Sequence, residues 1–365
     1  MASSNGPAIA LGAKAHVLYS RLLKADEYWA LLGLKSTEEI AAFLRITAGY
    51  KNQMETMLPQ RVHRITLENA VRSSILAEAN SFLYYLRGPH RKFFLDWLSW
   101  YEAGQVKSIF RWLHSKRLDR DTLRQYLFHV PGSKLPYEAM LACRDYSDML
   151  QTLHGTKYFS VLHEPVRRIV GGEKSHFSLE LAIDNMVETN VYNDIMELSP
   201  SEREYLRPIF GTRADLTNLY HLHRCLWYYN MSIEETLTRM LPVRYKVTPR
   251  HLRLIASAPT WDDRIAVMER FFPAYGKIFR EAIGQDDQEL ALETGLKRFN
   301  YNQAFMILRK GSPGFHTAIA YFLLKDHEVG DIIRIIEDVR YDYDRRSAAR
   351  YLTRPIIDGG GPAWL

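Results

Sequence analysis

The sequence has only two cysteines, Cys143 and Cys225, among its 365 residues. They lie far apart and neither belongs to a CxxC pair, so the sequence excludes a disulfide framework. Two isolated cysteines are typical of small buried thiols in a reducing compartment. We therefore expect the fold to be held together by its core and not by covalent links.

Long apolar runs are missing as well. No window approaches the roughly 18 uninterrupted apolar residues of a membrane span. Residues 93–101, FFLDWLSWY, form the most hydrophobic stretch, and Asp96 interrupts it. The N-terminal residues 1–16 lack a basic start followed by an apolar segment of secretory length. We expect a soluble chain that meets a membrane only through a partner.

Signals for β-structure are nearly absent. No Asn-Gly or Asp-Gly turn stands between two runs of alternating hydrophobicity, which is the usual mark of a hairpin. Helical spacing of apolar residues recurs along the chain instead. One example is a capping-box pattern, Ser36 with Glu39, that leads into apolar residues at helical spacing. The sequence predicts an all-α protein.

Catalytic signatures are missing too, since there is no GxSxG motif and no Cys/His signature. His221 and Cys225 lie one helical turn apart, but no CxxC or HExxH supplies the further ligands that zinc needs. His223 occupies an apolar position and is interpreted as a core histidine. Residues 171–175, GGEKS, lack the spacing of a phosphate loop and are interpreted as a surface turn.

Three acidic clusters could suggest paired carboxylates, but two of them fall where helix caps or loops are expected, so capping explains them better. The clusters are Asp262-Asp263, Asp286-Asp287 and Asp342 with Asp344. We therefore predict no catalytic, cofactor-binding or metal-binding residues and no cofactor. The chain is not expected to be an enzyme.

The composition is that of an ordinary globular protein with a mild basic excess. The hydrophobic content is 47%, and 365 residues ordinarily hold two or three domains. The formal net charge is +6, but Lys and Arg alternate with Asp and Glu, and no long basic run is present. The charges are interpreted as solvated faces, which argues against a nucleic-acid-binding stripe.

What the sequence does contain is a pattern that occurs three times. Its clearest copy, residues 328–352, predicts two short helices joined by a tight loop. The first helix has one broad apolar face. That face consists of Val329, Ile332, Ile333, Ile335, Ile336 and Val339. Similar spacing starts at Val106 and at Leu216, and each copy is followed by a capping residue and a second helix. The three caps are Asp119, Ser232 and Asp344.

The copies share polar positions at a steady spacing. Ser108, Asn218 and Asp331 are equivalent in this alignment and lie 110 and 113 residues apart. A second shared position carries a basic or ionisable residue, namely Arg111, His221 and Arg334. The period is too long for a solenoid unit of about 20–50 residues. It predicts three helical domains, residues 1–132, 133–246 and 247–365, the last ending in a flexible Gly-rich tail.

Two stretches carry a resemblance to a known family. Residues 13–32 contain Leu22-Leu23 and a segment from Glu27-Tyr28 to Leu32, and residues 315–352 join an aromatic-aliphatic helix to a Glu-Val-x-Asp-Ile element. In this order they resemble the central-stalk adaptor of V-type and A-type ATPases, which is the d subunit in eukaryotes and the C subunit in bacteria and archaea. The sequence departs from the family at Ser108 and Asp331, where Asn is frequent, and in its Gly-rich tail.

The resemblance implies a funnel of three pseudo-symmetric helical domains. It also implies a non-catalytic rotor subunit on the cytoplasmic face of a membrane, which joins the central shaft to the proteolipid ring during proton or sodium transport. The partners would be the shaft subunits and the ring, without nucleic acid. The mild basicity would suit acidic surfaces on the shaft.

Two other functions fit parts of the sequence. A free-standing helical scaffold that binds proteins or nucleic acid would also need no catalytic site, and a basic stripe along one face would favour it. A metal-dependent enzyme could be built around His221 and His223, and elemental analysis for zinc would decide that hypothesis.

Overall fold

The computed structural model describes residues 6–55, 57, 62–115, 119–172, 177–341 and 344–357, with only the backbone at residues 6, 7, 340, 341, 345 and 346. Every regular element in these ranges is a helix, which confirms the all-α prediction. Among the described helices, none is long and apolar enough to cross a membrane. The predictions for residues 173–175, Asp342 and the tail from Asp358 lie outside the described residues.

The helices vary widely in length, and three of them, α6, α12 and α18, reach 27 or 28 residues. In chain order the helices are α1 (Gly6–Tyr19), α2 (Ala25–Leu32), α3 (Thr37–Ile46), α4 (Lys51–Met54), α5 (Arg64–Leu83), α6 (Gly88–Ser115), α7 (Arg120–Tyr126), α8 (Tyr137–Ala142), α9 (Tyr146–Thr152), α10 (Lys157–Val170), α11 (Phe177–Glu197), α12 (Pro200–Trp227), α13 (Ile233–Thr238), α14 (Pro249–Ser257), α15 (Trp261–Phe271), α16 (Pro273–Ala282), α17 (Gln288–Lys310), α18 (Phe315–Tyr341) and α19 (Arg345–Arg350).

The chain divides into two compact units. The larger unit consists of residues 1–85, 200–240 and 244–365, and the smaller unit of residues 86–199 and 241–243. The smaller unit contains α6 to α11, in which α6 packs along α11 and α10 lies between α9 and α11. The division into three domains at residues 132 and 246 stays a prediction.

Helix α18 is the central helix of the larger unit. It packs against α1, α5 and α17, and it also touches α2, α3 and α12. Every residue from 314 to 325 is buried. A helix that is apolar on all sides must be surrounded by other elements, and the N-terminal helices supply one of the surfaces that cover it. This is why the first 85 residues fold with the last third of the chain.

The apolar face predicted for residues 328–339 is part of the core, since Ile332, Ile335 and Ile336 are fully buried. The prediction of a short, separate helix is wrong, however, because these residues form the second half of α18. The other two copies are likewise the last turns of α6 and α12. Nothing between residues 315 and 341 breaks a helix except Gly330, which a helix interior tolerates.

The three capping residues predicted for the following short helices are confirmed. The side chain of Asp119 accepts the backbone N–H of Thr122 at the start of α7. Ser232 caps α13 and Asp344 caps α19 in the same way. Each cap satisfies an amide that the first turn of a helix would otherwise leave unpaired.

Candidate functional site

Of the three residues on α12 that suggested a metal site, His223 and Cys225 are buried, whereas His221 is only partly buried. His223 is 7% exposed, and the centroid of its ring lies 4.1 Å from that of Trp261. Burial lowers the pKa of His223 to about 4, so this imidazole is neutral at physiological pH. Burial also raises the pKa of the Cys225 thiol. Among the described residues, no three His, Cys, Asp or Glu side chains gather as metal ligands would.

The acidic clusters act at helix starts, as predicted. Asp263 forms a capping box with Thr260 at the start of α15, and Asp287 caps α17. Asp262 pairs with Arg280 across 2.8 Å. These carboxylates therefore stabilise helices, and they do not converge as a catalytic acid and base would.

A buried charged cluster, which the sequence analysis missed, joins α18 to the N-terminal helices. Lys325 is fully buried and Glu328 is 3% exposed, and Lys325 Nζ lies 3.1 Å from Glu328 Oε1. The same oxygen accepts the Tyr50 hydroxyl at 2.7 Å, and Glu328 Oε2 accepts the Leu23 amide at 2.6 Å. Lys325 Nζ also lies 3.6 Å from the centroid of the Tyr50 ring. We call these four residues the Glu328 cluster.

A second buried contact lies one turn earlier on α18. The Tyr321 hydroxyl donates to Glu78 Oε2 of α5 at 2.5 Å. Burial raises the pKa of Glu78 and of Tyr321. The pKa of Tyr50 is raised by burial and, in addition, by the negative charge of Glu328. Each polar group meets a partner on another segment, so the arrangement fastens helices together. The detectable signal was a polar segment, residues 325–328, between two apolar runs of α18.

The long helices α6, α12 and α18 each carry a buried polar side chain. This side chain accepts backbone N–H groups of the segment that follows the next short helix in the chain. On α18, the Asp331 carboxylate accepts the amides of Thr353 at 2.8 Å and Arg354 at 3.0 Å. On α12, the Asp215 carboxylate accepts the amides of Tyr245 at 3.4 Å and Lys246 at 2.9 Å.

On α6, the side-chain oxygen of Gln105 accepts the Phe128 amide at 3.0 Å. We call Gln105, Asp215 and Asp331 the three anchors. They are 110 and 116 residues apart. When the three copies were aligned from their sequences, Ser108 and Asn218 were matched with Asp331. Matching the three anchors instead moves the third copy by about one helical turn relative to the other two. Ser108 itself only donates to the Gly104 carbonyl within α6, at 2.9 Å.

Exposed aromatic side chains mark two helix ends of the larger unit. Trp227, Tyr228 and Tyr229 at the end of α12 are each at least 50% exposed, as are Tyr84 and Tyr85 after α5. Large aromatic side chains left in solvent at one place are typical of protein-interface anchors. They are candidates for contacts with other proteins.

Comparison with known proteins agrees with the family resemblance. The profile of the family described as ATP synthase (C/AC39) subunit matches residues 11–351, which is nearly the whole chain. The matched range contains all three anchors and the Glu328 cluster.

Two curated relatives are each named as the C subunit of an A-type ATP synthase. They come from Halobacterium salinarum strains ATCC 29341 / DSM 671 / R1 and ATCC 700922 / JCM 11081 / NRC-1. Each is 27% identical over 192 residues, covering 52% of this chain and 53% of the relative. The alignment thus spans about half the length of the curated relatives. Because the family profile covers far more, the chain belongs to the ATP synthase (C/AC39) subunit family.

Proposed function

We propose that the chain is a non-catalytic rotor subunit of a V-type or A-type ATPase. It joins the central shaft to the membrane proteolipid ring and so transmits torque during proton or sodium transport. Its place is peripheral, on the cytoplasmic face of the membrane. The observation that carries this proposal is the family match over residues 11–351.

The described packing supports the mechanical part of the proposal. Transmitting torque needs a body that resists deformation, and close-packed helices meet this need because protein interiors have low compressibility. The Glu328 cluster adds directional contacts between α18 and the segments at Leu23 and Tyr50. Hydrogen bonds and ion pairs of fixed geometry oppose sliding between helices, which apolar contacts alone permit more readily.

We also propose that the body consists of three helical repeats that form a funnel. The three anchors support the repeat. In each copy the anchor on the long helix accepts a backbone N–H from the segment after the short helix that follows, α7, α13 or α19. In this register Gln105, Asp215 and Asp331 are equivalent. Three similar modules would present similar surfaces around a shaft.

Purification of the ATPase from native membranes tests the proposal. We expect this chain to be recovered with the ATPase subunits and the proteolipid ring when an affinity tag is placed on a catalytic subunit. Recovery with RNA, or as a free monomer under all conditions, would contradict the proposal and favour a free-standing scaffold.

A further inference from the structure

One exposed face of the larger unit, which includes part of α14, is basic. Residues 244–261 contain four Arg or Lys residues and no Asp or Glu. Arg250, Arg253 and Leu254 are exposed and lie on one face of α14, because residues three and four positions apart are neighbours on a helix. Leu254 is 46% exposed.

The end of α15 extends this face. His251, one turn before Leu254, has its ring centroid 5.1 Å from that of Phe271. Phe271 is 41% exposed, and the exposed guanidinium of Arg270 lies 5.5 Å from the centroid of its ring. We call Arg250, Arg253, Leu254, Arg270 and Phe271 the α14 face.

Few carboxylates offset the charge of the α14 face. Glu234 lies 3.8 Å from Arg253, but both side chains are largely exposed, so water screens this pair. Glu269, next to Arg270, is engaged by Arg280 at 3.1 Å. Within the described part of the chain, no carboxylate lies at ion-pair distance from Arg250 or Arg270.

We propose that the α14 face binds an acidic, partly apolar surface of another protein subunit of the same complex. This inference rests on the proposed function, which supplies the complex. Three guanidinium groups around Leu254 and Phe271 combine an apolar centre with a charged rim, the composition of protein interfaces. A bilayer surface is a poorer match, because helices that lie in lipid present a much broader apolar face than two side chains.

Rebinding to membranes tests the α14 face. Membranes are prepared from cells that lack this chain but retain the rest of the ATPase, and the purified full-length chain is added across a salt titration. We expect wild-type binding to weaken with salt. The variant R250Q/R253Q/R270Q should bind on the order of tenfold more weakly at low salt and lose most of the salt dependence.

A matched variant controls for net charge. R144Q/R167Q/R168Q removes three exposed arginines from the smaller unit and should bind like wild type. A second test variant, L254S/F271S, keeps the charge and should also weaken binding while preserving the salt dependence. A circular-dichroism melt of each variant verifies that it is folded.

The outcomes separate the two proposals. If the α14-face variant and the matched control bind the membranes equally well, the inference is overturned and the proposed function stays intact. Equal binding of wild type to protein-free vesicles of the same lipids would also overturn it, since the ligand would then be lipid. A wild-type chain that fails to rebind at all would contradict the proposed function.

Discussion

At the scale of single residues, the larger unit should be sensitive to substitutions in the Glu328 cluster. Glu328→Ala leaves the buried amine of Lys325 without its carboxylate partner and removes the acceptor of the Tyr50 hydroxyl and the Leu23 amide. Losing one partner of a buried pair costs about 3–5 kcal/mol. We expect a loss of this size in the free energy of unfolding, measured by urea denaturation.

Glu337 supplies the control for this substitution. Its half-exposed carboxylate lies 3.1 Å from Arg64, so Glu337→Ala should cost less than about 1 kcal/mol. If the two alanine variants lose equal stability, the cluster does not hold the N-terminal helices in the way that its geometry indicates.

Asp331 should make stability depend on pH. Burial raises its pKa from 3.8 to about 6 in the folded chain, although the Thr353 and Arg354 amides oppose the rise. The folded state therefore binds the proton more tightly than the unfolded state between these pH values. The contribution is fully present below about pH 3.8 and is lost as the pH rises through 6. Its size is up to about 3 kcal/mol.

The variant Asp331→Asn isolates this contribution, because every other titrating group cancels in the difference from wild type. The stability advantage of wild type over the variant should be largest near pH 4, shrink as the pH rises from 4 to about 6 and level off at higher pH. Thermal unfolding of both proteins across this range measures the difference. If the stability difference between the two proteins does not change with pH, the raised pKa of Asp331 is wrong.

At the scale of helices, the anchors should matter more than the positions aligned from sequence. Gln105→Ala removes the buried acceptor of the Phe128 amide, so we expect a loss of about 1–3 kcal/mol in the smaller unit. Ser108→Ala should be nearly neutral, since Ser108 is only partly buried and bonds within its own helix. Denaturation of the two variants measures which of the two side chains stabilises the smaller unit, and equal losses would contradict the role assigned to Gln105.

Local features of the helices could be predicted, and long-range ones could not. Asp119, Ser232 and Asp344 were identifiable as caps because a cap bonds an amide only two or three residues away. The Lys325–Glu328 pair was visible in sequence, but its partners Leu23 and Tyr50 lie in segments that only the tertiary fold brings near. The register that the sequence indicated for the third copy was wrong by one turn. Apolar spacing cannot detect such an error, because an amphipathic helix presents nearly the same apolar face after a shift of one turn.

At the scale of the whole molecule, the proposed function predicts an uncoupled machine when the chain is missing. Membranes from cells that lack it should retain ATP hydrolysis by the catalytic subunits but form little or no ATP-driven ion gradient. Adding back the purified chain should restore the gradient. Measuring ATPase rate and ion uptake on the same membranes tests this. Normal ion uptake without the chain would contradict a role in coupling.

The Glu328 cluster also has a consequence for synthesis on the ribosome. Its hydrogen bonds join residues 305 and 278 positions apart in the chain. At about 5–20 residues per second, the N-terminal helices wait on the order of 15–60 s before α18 is made. During that time their apolar surfaces lack the helix that later covers them. We therefore expect the nascent chain to depend on chaperones until its last third has been translated.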